Sequence, residues 1–204
     1  MVYCSLSSKK TVIPAAVCAG LIFTGCQSNH SGDLNARKEN VTHLERTEKM
    51  DLLEVGSEVE RNALERFRAF YDVYSVERIQ ENIRNVYAED AWFGDPFHTV
   101  QGIDDIEHYF VVMAEPVESC TFEIDSIQRS DKDYYIRWTM MLDSKAVKGE
   151  PIEAIGMSHV RFNRNGKIVF QQDYWDTSTL YDRLPVVGYW TRLVKNRLQK
   201  GLEQ

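Results

Sequence analysis

The stretch YAEDAWFGDPFHTVQG, from Tyr87 to Gly102, marks where a helical pattern gives way to an extended one. Upstream, Val59 to Tyr87 reads as helix; Ala91-Trp92-Phe93 opens a strand that ends at Asp95-Pro96. Proline keeps the residue before it extended, so the backbone sets the direction of the Asp95 carboxylate. Beside Trp92, Phe93 and Phe97 that acid is expected in apolar surroundings, which raise a carboxyl pKa towards that of a working base. Asp-Pro is also a common turn former that touches only water, and both readings stand at this point.

Working outward, Leu64, Phe67, Phe70, Tyr71 and Tyr74 recur at three- and four-residue spacing and predict one helix with an aromatic face. Ser75 can cap a second helix carrying Ile79, Ile83 and Val86 on its buried side. Ile103 to Met113 predicts a third, ending before Pro116. After that, alternation takes over. Cys120 to Ser126, Tyr134 to Leu142, Ile152 to Phe162 and Lys167 to Trp175 read as half-buried strands, with Asn163 to Gly166 as a hairpin turn. Helices followed by an antiparallel meander predict an α+β fold, with N-terminal helices packed on a strongly curved sheet. Ile136, Trp138 and Met140 face inward, as do Ala154, Gly156 and Ser158, whose small size predicts a cavity rather than a solid core.

The ends of the chain differ in kind from this core. Lys9 and Lys10 precede an apolar run, Thr11 to Phe23, which is short for a bilayer span and ends in Phe23-Thr24-Gly25-Cys26. This order resembles the bacterial lipoprotein signal, which implies cleavage before Cys26 and lipidation of its thiol. Cys4 and Cys18 fall in the leader, leaving Cys120 alone in the folded part, so no internal disulfide is expected. Residues 26–55 are polar and weakly patterned, as in a tether. A formal net charge of −7 without a basic stripe argues against a nucleic-acid surface. No His, Cys, Asp or Glu spacing resembles a metal site, and nothing calls for a cofactor.

AEDAWFGDP after two helices, together with HVRFNRNGKIVFQQDYW near the end, resembles the nuclear-transport-factor-2-like superfamily, in its SnoaL-like and ketosteroid-isomerase-like branches. The resemblance implies a cone of helices on a curved sheet enclosing an apolar pocket, often in a dimer. It divides the chain into a leader (1–25), a tether (26–55), the domain (56–181) and a C-terminal amphipathic helix (182–204). Fold alone names no reaction. In ketosteroid isomerases the Asp-Pro aspartate is the general base, which falls on Asp95, and an oxyanion tyrosine falls on Tyr71. Their second oxyanion donor, a protonated aspartate, falls on Ser158. Serine lacks the acidity of a neutral carboxylic acid, so the set reads as incomplete.

The pocket is therefore expected to be lined by Trp92, Phe67, Ile136, Trp138, Met140, Ala154, Gly156 and Ser158, with His98 as a gate. His159 and Arg161 are expected on the outer surface or in a dimer contact. Asp173 and Asp176 fall on opposite faces, and alternation does not say which points in. Trp190, Leu193, Val194 and Leu198 share one face of a basic C-terminal helix that suits either an anionic membrane or a protein surface. The leading expectation is a lipid-anchored envelope protein, in the outer membrane facing the periplasm, that binds a small apolar or lipid-like molecule. The alternatives are an isomerase, cyclase or dehydratase using Asp95 and Tyr71, and a dimeric assembly module without ligand.

Overall fold

The computed structural model describes residues 30–145, 147, 149–184 and 187–202. The stretch expected to be a lipoprotein signal, with Cys26, lies outside the described residues. The chain divides into two compact units, Met1–Lys38 and Glu39–Gln204. Of the first, the described residues form the opening turns of helix α1 (His30–Glu48), and the second carries everything below.

Helix α2 (Glu58–Asp72) begins at Ser57, whose hydroxyl accepts from the Glu60 amide at 3.1 Å. Helix α3 (Val76–Val86) begins in the same way at Ser75, which accepts from the Arg78 amide at 3.3 Å. Each cap satisfies a donor that a helix start leaves open. The handover to strand comes at Tyr87, earlier than the sequence pattern indicates, and β1 runs Tyr87–Gly94. A short β2 (Thr99–Gln101) folds back on it, and α4 (Ile103–Ala114) follows. Then come β3 (Val117–Ser130), β4 (Asp133–Ser144), β5 (Ile152–Phe162) and β6 (Ile168–Trp175). Short α5 (Ser178–Tyr181) and α6 (Val187–Leu202) close the chain.

The strands form one sheet in the order β2-β1-β6-β5-β4-β3, antiparallel except for the β1–β6 pair. Register shifts in β1–β6, β3–β4 and β5–β6 add the local twist that lets a sheet curl around helices. Helices α2, α3 and α4 pack on the inner face through Phe67, Phe70, Ile79, Ile83 and Phe110, all buried. The predicted α+β architecture is the observed one.

The segment 26–55, expected to be a tether, is structured over much of its length. Its part from Glu39 belongs to the folded unit and lies against the outer face of β1, β6 and β5. His43 stacks on Trp92 at 5.4 Å, Arg46 pairs with Asp90 at 2.7 Å, and Leu52 bridges to Asn163. His159 and Arg161, expected at the surface, are accordingly buried at 9% and 6% exposure.

Candidate functional site

Two predicted cavity features turn out differently. Gly156 pairs across the sheet with Trp138, and the indole lies over it: a Cβ on Gly156 would stand 2.1 Å from the ring. The space expected above Ala154, Gly156 and Ser158 is thus filled by Trp138, whose Nε1 donates to Ser158 Oγ at 2.9 Å. The cavity lies beyond that ring. It measures about 120 Å³, room for about four waters. Its walls include Phe93, Phe97, Phe110, Phe122, Trp138 and Trp175, and both Asp95 and Asp173 line it.

Of the expected lining, Trp138 and Met140 are in place, as are Tyr71 and Asp95. Phe67 and Ile136 belong to the solid core instead. Trp92 points to the other face of the sheet, stacked between His43 and Phe170. That is the direct consequence of strand alternation, since Phe93 and Asp95 take the inner side. His98 is exposed, with its ring 6.0 Å from Tyr109, and is not part of the wall. Cys120 does line the cavity, but burial pushes its thiol up to about 12, which rules out a thiolate at neutral pH.

Asp95 forms the expected turn, but it faces the cavity rather than only water. Oδ1 closes the Asp-Pro turn, accepting from the Phe97 and His98 amides at 2.8 and 2.9 Å. Oδ2 accepts from the Tyr109 hydroxyl at 2.8 Å. Burial raises its pKa, and the hydrogen bonds from His98, Tyr109 and Phe97 oppose the rise. Tyr109 carried no sequence signal beyond its place on the α4 pattern.

The hydroxyl of Tyr71 is engaged elsewhere. Tyr87 donates to Gln171 Oε1 at 2.8 Å, so its own hydrogen is taken, and at 2.7 Å it accepts from Tyr71. Gln171 Nε2 in turn donates to the Tyr71 oxygen at 2.9 Å. Tyr74 donates to the Phe110 carbonyl at 3.0 Å. None of these tyrosines has a hydrogen left for a ligand in this arrangement.

The acid that the chain lacks at position 158 is present one strand away. Ser158 on β5 and Asp173 on β6 are register partners, and Asp173 is the member of the Asp173/Asp176 pair that points inward. Asp176 turns outward and accepts from the Ser178 amide at 2.8 Å. Gln171 Nε2 donates to Asp173 Oδ1 at 2.9 Å, and the Ser158 hydroxyl is a further hydrogen-bond partner. Burial, aided by the charge of Asp95, lifts Asp173 to about 7 against those two hydrogen bonds. Ser158 therefore serves as a positioning residue for the acid rather than as its substitute. Two carboxyls of unequal acidity facing one apolar cavity can hold one charged and one protonated at neutral pH. Among the described residues no group of His, Cys, Asp and Glu is arranged to hold a metal ion.

The same fold occurs in solved structures of low identity. A ketosteroid-isomerase-like protein from Catenulispora acidiphila in complex with trimethylamine has a TM-score of 0.51 at 16% identity, covering 60% of this chain and 91% of its own. A candidate SnoaL-like polyketide cyclase from Jannaschia sp. gives 0.54 at 9% identity, covering 65% and 98%. An NTF2-like protein from Burkholderia pseudomallei gives 0.51 at 16%, covering 61% and 98%. No curated protein matches the chain by sequence. The SnoaL-like domain model matches residues 67–171. That span is half of the chain and holds α2's aromatic face, Asp95, Ser158 and the strand leading to Asp173's neighbour Gln171. The chain belongs to the SnoaL-like domain family.

Proposed function

We propose that this SnoaL-like domain is an envelope-anchored enzyme that moves a proton on a small, largely apolar carbonyl compound. Asp95 takes the proton from carbon, and protonated Asp173 gives a hydrogen bond to the oxygen on which charge develops. The observation that carries this reading is the placement of Asp173 opposite Ser158, facing the cavity that Asp95 also lines. It supplies the acid whose absence from position 158 favours a binding pocket without turnover. Tyr71 is a positioning residue here, holding Gln171 and through it Asp173. The order of n-region, apolar run and Cys26 supports export and lipid anchoring.

The test uses full-length protein with a panel of small enolisable ketones in deuterium oxide, followed by mass spectrometry. Uptake of deuterium by at least one ketone, lost in Asp95→Asn and in Asp173→Asn, is the expected result. A molecule retained unchanged in native mass spectra of protein from its own envelope, with no exchange on any ketone, returns the site to a binding pocket. Incorporation of an alkyne-tagged palmitate, abolished in Cys26→Ser, is the expected result for the anchor.

A second reading is favoured by the wall itself: aromatic rings and two acids, with no Lys, Arg or His among the described lining residues. Such a cavity suits a small organic cation, and the Catenulispora protein of the same fold is in complex with trimethylamine. Calorimetric titration with trimethylammonium separates the two. Binding that strengthens as pH rises towards and past neutrality supports the cation, and no heat at millimolar concentration removes it.

A further inference from the structure

Helix α6 is amphipathic in the reverse sense for a helix that caps a soluble domain. Its polar side holds it to α5 and the turn that follows α5. The Thr191 hydroxyl donates to Asp182 Oδ1 at 2.5 Å, Arg192 donates to the Asp182 carbonyl, and Lys195 reaches Ser178 Oγ at 2.9 Å and Asp182 Oδ2 at 2.5 Å. Gly188 lies on the same side, where a Cβ would stand 2.2 Å from the Asp182 carbonyl oxygen, so only glycine permits this approach. The apolar residues lie on the other side. Trp190, Leu193, Val194 and Leu198 are 60%, 44%, 55% and 65% exposed. An amphipathic helix of a soluble protein normally turns that stripe inward.

We infer that α6 docks on an anionic membrane surface, its apolar stripe entering the boundary between headgroups and acyl chains. Arg192 and Lys195 are held on the opposite side by Asp182 and Ser178, while Arg197 shares the exposed side, and the helix has no acidic residue in a chain whose formal net charge is −7. An exposed apolar stripe that carries an arginine and no carboxylate matches anionic headgroups. Pairing of two α6 stripes from separate copies is disfavoured by the same charges, because Arg197 lies within the stripe and no carboxylate on the helix offsets it. No described helix is long and apolar enough to cross a membrane, so α6 lies on the surface. Leu180 of α5, the element that Asp182 ties to α6, lines the cavity. Docking therefore sets that wall of the cavity about 10 Å from the lipid, the width of the helix between them. The inference stands independently of the fate of Cys26.

Full-length protein reconstituted in phosphatidylethanolamine/phosphatidylglycerol vesicles with brominated acyl chains tests it by quenching of tryptophan emission. Residues 1–29 contain no tryptophan, so a leader or a lipid on Cys26 adds no signal. Trp92 and Trp138 are 1% and 3% exposed and out of reach of the quencher. Wild-type emission is expected to be quenched, Trp190→Phe to lose more than half of the effect, and Arg197→Glu or replacement of phosphatidylglycerol by phosphatidylcholine to weaken it at least twofold. Equal quenching in wild type and Trp190→Phe overturns the inference. So does a dimer in solution that Leu198→Glu disperses, which would assign the stripe to a second copy.

Discussion

On the outer face of the sheet Asp133 meets Arg161, whose Nε and Nη2 grip its two oxygens at 2.5 and 3.1 Å, while His159 Nε2 lies 2.6 Å from Oδ1. On the inner face Asp173 meets only a serine, a glutamine and the charge of another acid. Burial pushes both upward. For Asp133 the hydrogen bonds and charges of Arg161 and His159 outweigh burial and hold it below the usual carboxylate range. For Asp173 no cation among the described residues answers, and it rises to about 7. The same side chain in the same sheet is thus a structural clamp in one place and a titrating group in the other. What separates them is the partner supplied, since neither lies in bulk water.

The sharpest way to break this comparison is to exchange carboxylate for amide on each face. Asp173→Asn is expected to cut ketone exchange by roughly 10²–10⁴-fold, the range for losing a general acid or base, while the protein stays folded. Asp133→Asn is expected to leave exchange within about twofold and to lower stability instead. If Asp133→Asn silenced exchange as strongly, the division between faces would be wrong.

Next in size is Arg161→Ala. It strands Asp133 and also removes the bonds to the Leu44 carbonyl and Thr47 at 3.0 and 2.9 Å. A loss of about 3 kcal/mol in urea unfolding is expected, the lower end for breaking a buried pair because Asp133 keeps some contact with water. Gly156→Ala should cost about 2 kcal/mol by forcing the Trp138 ring from its seat, with a shift in tryptophan emission as the second readout. A loss below 0.5 kcal/mol would mean that the ring moves freely.

The smallest effect is on pH dependence, and its sign differs between the faces. Asp173 has a folded pKa raised from 3.8 to about 7, so the folded state holds its proton more tightly and stability falls as pH climbs through that interval. Asp133 has a lowered pKa, so the stability it contributes is present above its ordinary 3.8 and is lost as pH falls through the folded value. Asp173→Asn should flatten the neutral limb. Asp133→Asn should flatten the acid limb, with both followed by chemical denaturation across pH 3 to 8.

Local features of the fold were legible in the chain. Ser57 and Ser75 sit where helix starts need an acceptor, and the three inner helices and long strands announce themselves by period. Asp95 was found because Pro96 fixes its backbone and Phe93 shares its side of the strand. What escaped the sequence depended on register or on polar packing. Asp173 could not be assigned to a face until the irregularity between Arg161 and Phe162 set its phase with β5. The filling of the space over Gly156 needed the pairing with Trp138. Helix α1 resembles a tether in the sequence because much of its hold is polar, through Arg46 on Asp90 and Arg161 on Thr47, and hydropathy is blind to such contacts.

The rung shared by Ser158 and Asp173 has a consequence for how such sites drift. Moving an acid across one rung of a sheet keeps its head near the same point, because facing residues on adjacent strands stand only about 5 Å apart. Along the chain the move spans fifteen positions, from 158 to 173, and looks like a loss. A ladder can pass a functional group sideways while every linear pattern records a gap, so sites of this kind are better compared rung by rung than residue by residue.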